Sequence, residues 1–128
     1  MESKLLSLRK LNVLAGSLHL VSFTAILLLS NDASLPVQAT FLTDAPGRGS
    51  FSAPVNLFDL NISYMVAGFM ALSAFFHFFV SSPWVFAKYA DGLSRHINEY
   101  RWVEYSLSSS IMIIIILQLN GTADYIAL

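Results

Sequence analysis

The stretch Val103-Glu104-Tyr105-Ser106-Leu107-Ser108-Ser109-Ser110-Ile111-Met112-Ile113-Ile114-Ile115-Ile116-Leu117-Gln118-Leu119 decides the fold. In water the β-branched run Ile111 to Leu117 would suit a strand, but an open strand in lipid leaves its backbone N–H and C=O groups unpaired. As a helix the same segment satisfies them internally, and it approaches the roughly 20 apolar residues needed to cross a hydrocarbon core of about 30 Å. Two earlier segments read the same way, Leu11 to Leu29 and Leu60 to Val80.

Composition agrees with three crossings. The 128 residues are 55% hydrophobic and 12% charged, more apolar surface than a small soluble domain can hide. A net charge of −1 excludes the basic footprint of a nucleic-acid binder. The chain has no cysteine, so neither a disulfide framework nor a thiolate metal site is available, and three scattered histidines make no metal cluster. The first apolar segment is longer than a signal-peptide core of roughly 7 to 15 residues and lacks a small-residue cleavage site, so it reads as a retained anchor. Lys4 to Lys10 forms a short amphipathic lead-in to it.

Outward from the spans, the expected organisation is a single membrane domain over residues 1–128. It has helix one at about 5–31, an outer loop at about 33–58, helix two at about 59–82, helix three at about 97–119 and the start of a fourth helix at about 122–128. In the outer loop, Val37 to Leu42 and Ser50 to Phe58 flank the turn-forming run Asp44-Ala45-Pro46-Gly47-Arg48-Gly49, the pattern of a β-hairpin. Pro36 and Pro54 are restricted to its ends or edges. A lone hairpin is marginal in water, so it is expected to rest on another surface, such as a second subunit.

Orientation follows from the basic residues. Lys4, Arg9 and Lys10 precede the first span, and Lys88, Arg95 and Arg101 lie between the second and third, whereas the opposite side has only Arg48. The positive-inside rule puts the N-terminus in the cytoplasm.

Polar residues inside the spans are the candidates for function. Arg101, Glu104 and Ser108 stack along one helix face, with Tyr105 and Met112 beside them. A carboxylate within a span either serves a cation deeper in the bundle or pairs with Arg101 one turn away, and the spacing supports both readings. His19 lies on a stripe with Asn12 and Gly16, and His77 on one with Ser63, Ala67, Ala74 and Ser81. Such stripes let helices approach closely and hydrogen-bond, and an imidazole there is suited either to that bonding or to handling protons. His96 falls in a charged loop and reads as solvated. The serine cluster Ser106, Ser108, Ser109 and Ser110 has no base at a spacing that would activate a nucleophile, and its hydroxyls can bond back along the helix. The sequence therefore carries no enzyme signature.

The run Arg101 to Met112 strongly resembles the third-helix signature of heliorhodopsins, the microbial retinal proteins of inverted membrane orientation. Phe51-Ser52-Ala53-Pro54-Val55 resembles that family's outer-loop strand, Leu72 to Phe78 its second helix, and Gly121-Thr122-Ala123-Asp124 its turn into the fourth. The cytoplasmic N-terminus is a property of the same family. The resemblance implies an all-α membrane protein of the cell membrane, an incomplete seven-helix rhodopsin-like bundle. Its implied function is light sensing by retinal bound as a protonated Schiff base.

On this match Glu104 is the Schiff-base counterion, and Tyr105, Ser108 and Met112 line the retinal pocket. His19, His77 and Arg101 belong to a polar cavity associated with proton movement. The resemblance further implies a homodimer through helices and the outer hairpin, and an unidentified signalling partner. The lysine that links retinal belongs to the family's seventh helix, and Lys4, Lys10 and Lys88 all lie at or beyond the membrane boundary. The expectation is thus the N-terminal part of a heliorhodopsin, with retinal bound only in a complete protein. The alternative from another class is a small multi-pass membrane scaffold that uses Glu104, His19 and His77 only to hold helices together.

Overall fold

The computed structural model describes residues 2–128, with side chains from Leu5 onward, so the Lys4 side chain lies outside the described residues. Four helices and a two-stranded sheet follow one another as α1 (Glu2–Leu29), β1 (Ser34–Ala39), β2 (Val55–Asn61), α2 (Ile62–Ser81), α3 (Phe86–Ser94) and α4 (Glu99–Leu119). Among the described residues α1, α2 and α4 are long and apolar enough to cross a membrane. These are the three spans expected from sequence. At 1.5 Å per residue, the 20 residues of α2 reach about 30 Å, the thickness of a hydrocarbon core.

The ends of the spans are set by local chemistry. Asn61 accepts a hydrogen bond from the Tyr64 N–H and so caps α2. That cap moves the start of α2 three residues later than expected, because residues 59–61 are still paired in β2. Asn98 caps α4 in the same way through the Arg101 N–H. At the far end of α2, Ser82 turns to an extended conformation, as a residue preceding a proline prefers.

The sequence reading left residues 83–96 between helices two and three without a helix, but α3 occupies most of them. This short amphipathic helix turns Tyr89 inward and leaves Ala87, Lys88 and Asp91 exposed. It ends in a Schellman pattern, with the Ile97 N–H bonded to the Gly92 carbonyl and the His96 N–H to that of Leu93. His96 takes the left-handed position there, at φ 60°, and is exposed as expected.

α2 is the central element, packed on one side against α1 and on the other against α4. Its contact with α1 is close because position 16 is a glycine. A Cβ there would stand 3.1 Å from the Phe78 ring and 3.2 Å from the His77 Cβ. Packing also inverts the pattern of a soluble protein. Leu11, Leu14, Leu18, Val21 and Leu28 of α1 are exposed, while Asn12, Ser73, Ser81, Glu104, Ser108 and Gln118 are buried. Apolar exteriors around a polar interior suit a solvent that is itself hydrocarbon. Trp84 and Trp102 are exposed at one end of the bundle, where indole rings favour the membrane–water boundary.

The hairpin between α1 and α2 forms, with strands that differ from the expected ones. β1 and β2 pair antiparallel from Ser34↔Asn61 to Ala39↔Val55, with a bulge between Val37 and Gln38. Beyond it the ribbon continues through the Leu42↔Phe51 bridge to a tip where Gly47 takes φ 88°. One surface on which it rests belongs to its own chain. Gln38 donates its N–H to the Ala123 carbonyl at 2.7 Å and accepts from the Tyr125 N–H at 2.7 Å, adding residues 123–125 to the free edge of β1. Val37, 1% exposed, and Gln118, 3% exposed, are buried at the same junction. Past that edge the Ala127 and Leu128 N–H groups both reach the Asp124 carbonyl, and Asp124 Oδ1 accepts from the Ile126 N–H. This is a single turn capped in the manner of a helix start.

The close approach at Gly16 predicts that Gly16→Leu will separate α1 from α2. Overpacking of this kind costs about 1–3 kcal/mol, so the variant should melt several degrees lower in detergent than the parent chain. Equal melting temperatures would show that the α1–α2 contact does not depend on the missing side chain.

Candidate functional site

The two polar stripes read from the sequence meet across the α1–α2 contact. His77 Nδ1 and Asn12 Oδ1 are 3.0 Å apart, and the His19 and His77 rings stack with centroids 5.5 Å apart and planes 13° from parallel. Ser81 donates its hydroxyl to the His77 carbonyl, and Arg9 Nε donates to the Ser81 carbonyl at 2.8 Å while its guanidinium lies over the Phe86 ring. The N-terminal lead-in of α1 is thereby tied to the end of α2.

α4 presents Glu104, Ser108, Ile115 and Gln118 to the interior. Glu104 is 5% exposed, and its Oε2 accepts from Arg101 Nη1 at 3.1 Å. The same guanidinium lies over the Tyr105 ring, 4.2 Å from its centroid, and donates to the Tyr105 hydroxyl. Pairing with Arg101 lowers the cost of keeping the carboxylate out of water. The pair is asymmetric, since the Arg101 side chain is 39% exposed and that of Glu104 7%. Both readings of Glu104 are therefore compatible, because the ion pair forms and the carboxylate still faces an interior space.

That space is an open-sided cleft of about 360 Å³ between α1, α2 and α4. The seven residues that the resemblance assigns to a retinal pocket or polar cavity line it: His19 and His77 on one wall, Arg101, Glu104, Tyr105, Ser108 and Met112 on the other. Phe69, Ser73 and Ser109 complete the lining. A second hollow of about 20 Å³, room for about one water, lies between Asn12, Tyr89, Asn98 and Tyr100. His77, Arg101 and Glu104 line both hollows and so form the partition between them.

Sequence reading did not single out Ser73, Tyr89, Asn98 or Tyr100. Ser73 had a usable signal, since it stands one turn before His77 on the same face. Tyr89 and Tyr100 had none, because their convergence depends on α3. Ser106, Ser109 and Ser110 bond back to carbonyls three or four residues earlier, as a hydroxyl in an apolar helix does. Among the described residues no lysine lines the cleft; Lys10 and Lys88 border other hollows.

The cleft combines one buried carboxylate, several hydroxyls, and apolar walls from Phe69 and Met112. Its volume of about 360 Å³ falls at the lower end of the roughly 300–1,000 Å³ of small-molecule sites.

No curated protein matches the chain significantly. The family profile described as Heliorhodopsin matches residues 8–128, nearly the whole length, and the chain, with three apolar helices long enough to span a bilayer, is thus an integral membrane protein of the heliorhodopsin family.

Proposed function

We propose that this chain forms the counterion side of a retinal site in a light-sensing membrane protein, as the N-terminal part of a heliorhodopsin. The observation that carries this reading is Glu104, a buried carboxylate on the wall of a cleft that it shares with Arg101, two histidines, hydroxyls and apolar side chains. Retinal linked to a lysine as a protonated Schiff base would supply the light absorption and the mobile positive charge. Glu104 would balance that charge, with Arg101 holding its carboxylate in place through Oε2. Ser108 and Met112, one and two turns further along α4, would flank the polyene, and Tyr105 would close its edge. His19 and His77, stacked on the opposite wall, would take up the proton that a Schiff base releases. The linking lysine would come from helices that complete the bundle.

The N-terminus is assigned to the cytoplasm, on the asymmetry of basic residues between the two ends of the spans. The outer hairpin, with Phe41, Leu42, Phe51 and Phe58 exposed, is assigned to a homodimer contact together with the helices. A signalling partner is the corresponding route of output for a receptor.

Three measurements test these assignments. Co-expressed with the complementary helices of a complete heliorhodopsin and given all-trans-retinal, the chain should yield a visible absorption band that moves to longer wavelength or bleaches when Glu104 becomes Gln. A band unaffected by Glu104→Gln removes the counterion role. Because the chain has no cysteine, Ser50→Cys and Ser94→Cys report topology directly. In intact cells a membrane-impermeant maleimide should label the first and not the second, and the reverse result would invert the orientation. Finally, Phe51→Asp should lower the dimer fraction of the detergent-solubilised chain severalfold in crosslinking, whereas an unchanged fraction would exclude the hairpin from the contact.

A further inference from the structure

A histidine in a membrane interior has two ring nitrogens, and which one carries the proton is set by the bond the other makes. For His77 that choice is made by Asn12, 65 residues away on α1. Asn12 is 8% exposed, and its Nδ2 donates to the Leu8 carbonyl at 3.1 Å. Turning the amide over would set two acceptor oxygens against each other, so the Leu8 carbonyl fixes which end of Asn12 faces α2. The end that does so is Oδ1, which only accepts. His77 Nδ1, 3.0 Å from it, must therefore be the donor.

We infer that Asn12 is a positioning residue that holds neutral His77 as its Nδ1–H tautomer, leaving Nε2 as the one ring atom able to take a proton. Nε2 bonds to no described residue, yet it is not among the sealed, unsatisfied atoms, of which Ser82 Oγ is the one found among the described residues. The ring borders both interior hollows, and the groups that share its surroundings are His19 from α1 and Arg101 and Glu104 from α4.

The chemistry that follows is storage. A proton leaving an acidic group in the cleft bonds to the Nε2 electron pair and converts the ring to imidazolium, while the donor keeps the pair it shared. Relay would require the Nδ1 proton to move on, but its neighbour is an amide oxygen, a very weak base whose own N–H is committed to Leu8. His77 thereby takes up and gives up a proton through Nε2 alone, and none crosses the ring to leave from Nδ1. Its use in proton handling rests on the function proposed above; the tautomer does not.

The test uses the full chain with ¹⁵N-labelled histidine in lipid nanodiscs, with His77→Gln to identify the His77 signals. The parent chain should show a protonated Nδ1 and an unprotonated Nε2. Asn12→Leu, which fills a similar volume without an acceptor, should lose the protonated Nδ1 signal in favour of Nε2–H or a mixture. Asn12→Asp, which restores an acceptor oxygen at the same place, should recover it. A parent chain with Nε2–H overturns the inference without recourse to any variant, as does an Asn12→Leu spectrum identical to the parent's. These spectra need no pigment, so failure of the retinal reading and failure of the tautomer assignment are separate results.

Discussion

The polar interior depends on how closely α1 lies against α2. Without a side chain at Gly16 the first span comes near enough to the His77 Cβ and the Phe78 ring for Asn12 to reach one turn across and His19 to stack on the imidazole. Lipid provides no hydrophobic drive for this contact, since acyl chains are as apolar as leucine. Close packing and the bonds it permits are what remain. α2 then serves as a common wall, with α1 supplying the amide and one histidine, and α4 supplying the carboxylate and hydroxyls.

The spans were legible because their signal is long and redundant. Each carries some 20 residues whose solvent preference points the same way, and the positions of the spans survive errors of a few residues at either end. The hairpin was legible from its tip, where Asp44 to Gly49 can hardly be anything but a turn. Its strand limits were not, because the bulge at Val37/Gln38 shifts the register and the edge of β1 is completed by residues 123–125, far along the chain. α3 escaped notice for a related reason. Nine residues of mixed polarity give too short a period to stand out, and the burial of Tyr89 depends on neighbours from other elements.

The site was legible to a greater degree than the fold around it. Ionisable and hydroxylated residues are costly in a span, so each one marks an interior face. Glu104, Ser108, His19 and His77 all came to line one cleft on that ground. Spacing could not say which atoms meet. The approach of Asn12 Oδ1 to His77 Nδ1 depends on the rotation of α1 against α2, and the inward turn of Glu104 toward both hollows depends on where α4 sits against α2. Such facts belong to packing, which a periodic pattern narrows without resolving.

The clamp on Gln38 bears on the order in which the molecule is made. Gln38 and its partners Ala123 and Tyr125 are separated in the chain by α2, α3 and α4. During synthesis the hairpin emerges on its side of the bilayer before its anchor exists, and two strands alone are marginal in water. Its docking must wait until α4 has been threaded through the membrane. The hairpin thus sets only after α4, and its closure registers that the spans before Ala123 have been inserted in the right number and direction.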